Sequence, residues 1–256
     1  MLLRFLVVIS CILSLTSFQV QAQKVKVVTE IMPPYQLNNA YGELDGYSTT
    51  VIRALFDITQ DDYKIEVMPW ARAYSTATNI NNCLIFSIAR TDYREDKFAW
   101  VGSLLDEELF FWSLEGHVKN KIDSIQQLKH LRIGAARDSN VHQYLKSHNF
   151  TNIVPIVSEA QSMQMLYSGR VDLVIGSELT FYHRTSQLDL ELGDMKKLLR
   201  IPELSKKLFI AFNKQTDPTL LTRYQKAFEQ LVETGQLKEI QSRWGLTNNN
   251  TDLPGY

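Results

Sequence analysis

Runs of strand chemistry, each followed by a stretch with helical spacing, recur along this chain, and that order limits its fold more than any other feature. Residues 24–29 (KVKVVT) alternate and are rich in valine, and Pro33 with Pro34 ends the run by removing backbone donors. Gly42 and Gly46 punctuate the loop that follows. Ser48 or Thr49 is placed to cap a helix in which Val51, Ile52, Leu55 and Phe56 recur at helical spacing. Residues 64–68 (KIEVM) read as a second strand, residues 71–78 as a second helix and residues 83–88 (CLIFSI) as a buried strand. This order predicts an α/β fold, with a mainly parallel sheet covered by helices on both faces.

A second set of such units begins at Ser124, a cap for a helix over residues 125–131, and continues into a strand near residues 132–135. Ser139 opens another helix. Ser158 caps the next, Gly169 ends it in a left-handed position, residues 171–175 (VDLVI) return as a strand, and Ser177 or Glu178 starts a further helix. Residues 209–212 make a last strand. Asp217 and Pro218 then start a long amphipathic helix through Leu221, Tyr224, Phe228 and Leu231, which Gly235 ends. No internal repeat is visible.

The first residues carry a different pattern. Arg4 precedes an apolar run over residues 5–15, and Val20, Gln21 and Ala22 follow with a small residue at the end, the layout of a secretory signal peptide over residues 1–22. Ser10, Ser14, Thr16, Ser17 and Gln19 break the run before the ~20 apolar residues that a membrane span needs. Export, with a mature chain starting near Gln23, is the expectation. Cleavage removes Cys11 and leaves Cys83 alone, so no internal disulfide is expected. The 27 basic and 28 acidic residues nearly cancel and form no basic stripe, which argues against a nucleic-acid partner. No GxSxG elbow, HExxH, CxxC pair or phosphate-binding glycine loop occurs, so neither an enzyme nor a cofactor or metal is expected.

Several local patterns then fall in order: Pro33, Pro34 and Tyr35; Gly46 and Tyr47; Thr91, Asp92, Tyr93 and Arg94 followed by Phe98; Gly235, Gln236, Leu237, Ile240 and Trp244. Together they resemble the bacterial family 3 extracellular solute-binding proteins, the periplasmic components of amino-acid ABC importers. Residues 69–73 (PWARA) and Trp100, Val101 and Gly102 resemble a divergent branch. The resemblance implies a type II periplasmic-binding-protein-like fold with two lobes. Residues 23–108 and 204–256 would form lobe 1 and residues 109–203 lobe 2, with crossings near residues 105–111 and 201–207. It further implies a periplasmic, monomeric protein that closes on a small-molecule ligand by hinge motion and hands it to an ABC permease or, alternatively, a membrane receptor. A few relatives of the fold are dehydratases using a cleft carboxylate, which leaves Glu178 as a lesser catalytic alternative.

By that resemblance Arg94 occupies the place of the arginine that holds a ligand carboxylate, a task suited to the paired donors of a guanidinium; its other reading is an ion pair with Glu95 or Asp96. Arg72 and Arg90 compete in the same lobe, and Thr91 and Ser87 can add donors. Trp70 and Tyr35 follow first-lobe strands and can sandwich the ligand, although Trp70 equally fits the core. Tyr47 reads as packing. Glu30 can receive an ammonium group or remain a solvated acid. Asp138, Ser139 and Asn140 stand at a helix start, where free amides favour an anion or the side chains simply cap. The acid that usually holds an α-ammonium in the second lobe aligns with Ser177, beside Glu178, a departure from the family that Glu178 or Glu30 can offset.

Overall fold

Valine alternation sets the first strand, β1 (Val25–Thr29), in the computed structural model, which describes residues 24–246. The signal-peptide reading lies outside the described residues. After a short hairpin, β2 (Leu37–Asn38) with β3 (Leu44–Asp45), comes α1 (Tyr47–Thr59). Its N-cap is Gly46, which corrects the expectation of Ser48 or Thr49; both of those side chains are buried inside the helix. Glycine is required there, because φ is 117° and a Cβ would lie 2.4 Å from the Tyr35 carbonyl oxygen. The chain continues through β4 (Tyr63–Val67), α2 (Trp70–Asn79), β5 (Cys83–Ala89), the short α3 (Asp92–Glu95) and β6 (Phe98–Asp106).

The second lobe contains β7 (Phe110–Leu114), β8 (Ile133–Ala136), α4 (Asn140–Ser147), β9 (Ile153–Ile156), α5 (Glu159–Tyr167), β10 (Val174–Gly176), α6 (Glu178–Gln187) and β11 (Met195–Arg200). Two expectations change here. The segment after Ser124 is a single 3-10 turn, Ile125–Leu128, held by the Ser124 and Gln127 capping box. The strand expected over residues 171–175 is confined to Val174–Gly176, with Leu173 joining β8 through an isolated bridge. Serines 139, 158 and 177 each accept a backbone N–H as helix caps.

The chain then returns to the first sheet as β12 (Lys207–Asn213), followed by α7 (Pro218–Glu233), capped by Asp217, and α8 (Gln236–Arg243). The strand order of that sheet is β4-β1-β5-β12-β6, with β4 and β5 parallel to β1 and the returning β12 antiparallel to both its neighbours. Alternation puts Val25, Val27, Leu84 and Phe86 into a core shared with α1, α7 and α8, while Val28, Cys83 and Ile85 face α2 on the other side. Fully burying one such side chain contributes about 1.5–3 kcal/mol, so a register slip of one residue would forfeit both cores. In the second lobe β8 and β9 are parallel, and β7 lies antiparallel between β10 and β11. The two crossings run side by side. Glu107 donates its N–H to the Lys206 carbonyl at 3.1 Å, and Ile201 donates to the Leu109 carbonyl at 2.8 Å.

Candidate functional site

The C-terminal ends of β1, β5, β8, β9 and β10 converge between the two sheets on one cavity of about 120 Å³. Open α/β sheets place ligands at this edge because loops and helix starts gather there. Glu30, Met32, Trp70, Ser87 and Arg94 line the first-lobe side, Glu107 comes from a crossing, and Ala136, Ser139, Asn140 and Glu159 line the second-lobe side. Ser87 is present because β5 bulges. Phe209 pairs with Ile88 and Ile210 with Phe86, so Ser87 is the extra residue, with φ of 55°. The bulge re-aims its hydroxyl, which donates to the Ser48 hydroxyl at 2.9 Å.

Arg94 is 1% exposed. Its Nη1 donates to the Ala89 carbonyl at 2.8 Å, while Nε and Nη2 have no hydrogen-bond partner. The guanidinium stacks 5.1 Å from the Trp70 ring and 5.3 Å from Tyr74. Burial lowers its pKa to about 10, opposed by Tyr74 and Glu30, so it stays charged at neutral pH. The alternative of an ion pair with Glu95 is corrected, because Arg90 holds Glu95 at 2.6 Å and lies over Trp100, outside the cavity. Arg72 is exposed on α2 and also lies outside. Trp70 packs with Ala73 and Ile85, and it also forms a cavity wall with its Nε1 buried and unpartnered.

Three carboxylates line the same cavity as this arginine. Burial, then Glu159 and Glu107, push Glu30 up to about 8, against the opposing charges of Arg184 and Arg94. Burial and Glu159 raise Glu107 to about 8. Glu159 is raised by burial as well, although Arg184 lies 3.7 Å away. Arg184 on α6 reaches across the cleft and donates from Nη2 to the Ile31 carbonyl at 3.1 Å. A site of this kind offers an oriented cation, a cluster of acids and a small apolar wall. No group of His, Cys, Asp and Glu suited to a metal occurs among the described residues.

The sequence matches the family model of bacterial extracellular solute-binding proteins, family 3, over residues 25–247. The chain belongs to that family. The fold of this solute-binding protein is similar to a histidine kinase sensor domain described as resembling periplasmic binding proteins (TM-score 0.76, 16% identity, 88% of this chain and 96% of that one). It is also similar to an ancestral arginine-binding protein bound to arginine (TM-score 0.74, 19% identity, 86% and 97% covered). A putative L-cystine ABC transporter protein from Listeria monocytogenes is alike to the same degree (TM-score 0.74, 16% identity, 89% and 98% covered). No curated protein sequence matches the chain.

Five expected site residues of this solute-binding protein fall elsewhere, Arg72 among them. Tyr35 is buried in the first-lobe core, its phenol held well above the usual range by burial and by Glu107, and it does not line the cavity. Ser177 is committed to Thr180 as the α6 cap. Glu178, one residue later on the helix, points to the groove beside the crossings and pairs with Lys197, which corrects it as an ammonium partner and as a catalytic acid. Thr91 starts α3 with a buried, unpartnered hydroxyl but is outside the cavity wall. Ser139 and Asn140 reach the wall; Ser139 also caps the helix, accepting from the His142 N–H at 3.0 Å, while Asp138 does not reach it. Glu107, Glu159 and Arg184 were not anticipated. Glu107 sits in a crossing, and that location was the one available signal; Glu159 reads locally as a first-turn acid after a serine cap.

Proposed function

We infer that this protein captures a small amino-acid-like or carboxylate solute in the periplasm by hinge closure and delivers it to an ABC importer, without chemistry on it. Among the described residues, lobe 1 is assigned to residues 24–108 and 204–246 and lobe 2 to residues 109–203; the rest of the expected first lobe, residue 23 and residues 247–256, lies outside the described residues. The observation that carries this reading is Arg94: a guanidinium 1% exposed, with two nitrogens unpartnered, facing the inter-lobe cavity. An ionised group without its full set of partners is costly to bury, so the site is built for a carboxylate that completes it. Trp70 backs the arginine on its other side and orients it. Glu30 and Ser87 from lobe 1 and Asn140 from lobe 2 border the same cavity, which makes occupancy depend on closure.

The test is a thermal-shift screen with amino acids and small carboxylates, because a solute that binds only the folded state raises its melting temperature. Carboxylate-bearing probes should raise it in the native protein and not in Arg94→Lys, since lysine cannot supply paired donors. Equal shifts in both proteins would remove Arg94 as the anchor. A sensor component presenting the solute to a separate membrane receptor is the second reading, favoured by the likeness of the fold to a histidine kinase sensor domain. Stimulation of a reconstituted importer by the loaded protein supports delivery; binding to a receptor ectodomain instead supports sensing.

A further inference from the structure

The canyon between the lobes carries more acid than a carboxylate ligand can use. Glu30 lies just after β1 in lobe 1, Glu107 in a crossing and Glu159 at the start of α5 in lobe 2, and all three line the same cavity as the buried, incompletely paired Arg94. Arg184 is the second cation beside them, and it is already engaged by Ile31, Gln187 and Glu159. Glu159 Oε2 has no hydrogen-bond partner despite that neighbour. With every group ionised, three carboxylates face two guanidiniums, and the cavity holds one negative charge in excess.

We propose that Glu30, Glu107 and Glu159 form a cation site, and that the solute carries one carboxylate and two cationic nitrogens, as a basic amino acid does. The carboxylate part rests on the reading of Arg94 given above; the cation part does not. Ser177, aligned with the acid that usually receives an α-ammonium, is occupied as a helix cap, and the three glutamates supply the charge from other segments. Because they come from lobe 1, a crossing and lobe 2, a cation between them draws both lobes toward the hinge. Without it the three acids repel one another in the closed cleft, or take up protons. Burial first, and then the neighbouring acids, raise the pKa values of Glu30 and Glu107, with Arg184 and Arg94 opposing at Glu30, and burial and then Glu107 raise the Tyr35 phenol.

Melting shifts and calorimetry with four probes separate the parts: L-lysine has one carboxylate and two cations, L-glutamine one of each, glutarate carboxylates alone, and cadaverine cations alone. L-lysine should bind tightest, and Glu107→Gln and Glu159→Gln should each weaken it at least about tenfold while L-glutamine binding falls less. Should either glutamine variant fail to fold, wild-type calorimetry in buffers of different ionisation enthalpy decides: L-lysine binding at neutral pH should release protons as Glu30 and Glu107 ionise. L-glutamine or glutarate binding as tightly as L-lysine, no response to any cationic probe, or no proton release would overturn the cation site. Cadaverine binding as tightly as L-lysine would leave the cation site standing and remove the Arg94 anchor.

Discussion

Arg94 and Arg184 are both almost fully buried near the same cavity, yet they stand in opposite situations. Arg94, in lobe 1, is stacked on Trp70 and Tyr74, bonds one backbone carbonyl and leaves two nitrogens unpartnered. Arg184, in lobe 2, bonds the Ile31 carbonyl across the cleft and Gln187 on its own helix, with Glu159 at 3.7 Å and Nε alone left unpartnered. One arginine is held in place by rings and is the anion anchor proposed above, while the other bonds a carbonyl of the opposite lobe. Burial alone therefore does not set the two apart; the extent of pairing and the place in the cavity wall do.

The sharpest way to break this contrast is to replace each arginine with methionine, which keeps much of the volume. Arg94→Met should reduce solute affinity by tens to thousands of fold, corresponding to the loss of about 2–5 kcal/mol for a desolvated charge pair. Its melting temperature without solute should stay within about 2–4 °C of wild type, because few bonds are lost. Isothermal calorimetry alongside circular dichroism reads both quantities. Arg184→Met should do the reverse. Removing the cross-cleft bond and the neighbour of Glu159 should lower stability by about 1–3 kcal/mol, and small-angle scattering should show a more open molecule. A large stability loss in the first variant and none in the second would invert the assignment of roles.

Much of this scaffold was legible in the sequence because its cues are local. Ser139, Ser158, Ser177 and the Asp217–Pro218 pair cap the helices they were expected to cap, and valine alternation located β1. Local cues failed where tertiary packing decides. Ser48 has the chemistry of a cap but lies buried in the first turn of α1, bonded to Ser87 across the lobe, because Gly46 alone fits against the Tyr35 carbonyl. The site divides in the same way. Arg94 was found through its surrounding pattern, whereas Glu107, Glu159 and Arg184 acquire meaning when a crossing, a helix start and a neighbouring helix converge on one cavity, and no spacing in the sequence encodes that meeting.

The crowding of acids sharpens the comparison through pH. Glu30 has a folded pKa of about 8 against an ordinary value of 4.5, so the folded protein binds more protons than the unfolded chain between those limits. Its contribution to stability is complete below about pH 4.5 and is lost as pH rises through about 8, with Glu107 acting in the same direction. The solute-free protein should therefore melt at progressively lower temperature from about pH 5 to pH 8, by a few degrees, and Glu30→Gln should flatten that slope. A slope unchanged in Glu30→Gln would mean that this carboxyl is solvated and ionises normally in the folded protein.

The smallest effect is expected at Glu178, which its place in the sequence recommends more than its place in the fold does. It follows Ser177, the position where the family usually carries an acid, but α6 turns its side chain into the groove along the crossings, where Lys197 pairs with it. Its side chain is 44% exposed and that of Lys197 35%, and Lys197 also rests 4.7 Å from the Phe110 ring, so solvent screens the pair and the lysine keeps a second contact without it. Exposed ion pairs contribute about 0–1 kcal/mol. Glu178→Gln should accordingly change stability by less than about 1 kcal/mol and leave solute affinity unaltered, since the residue borders a different hollow from Arg94. Denaturant unfolding and calorimetry on the one variant settle both points, and an affinity loss comparable to that of Glu159→Gln would move the ammonium site from the inter-lobe cavity to the groove beside the crossings.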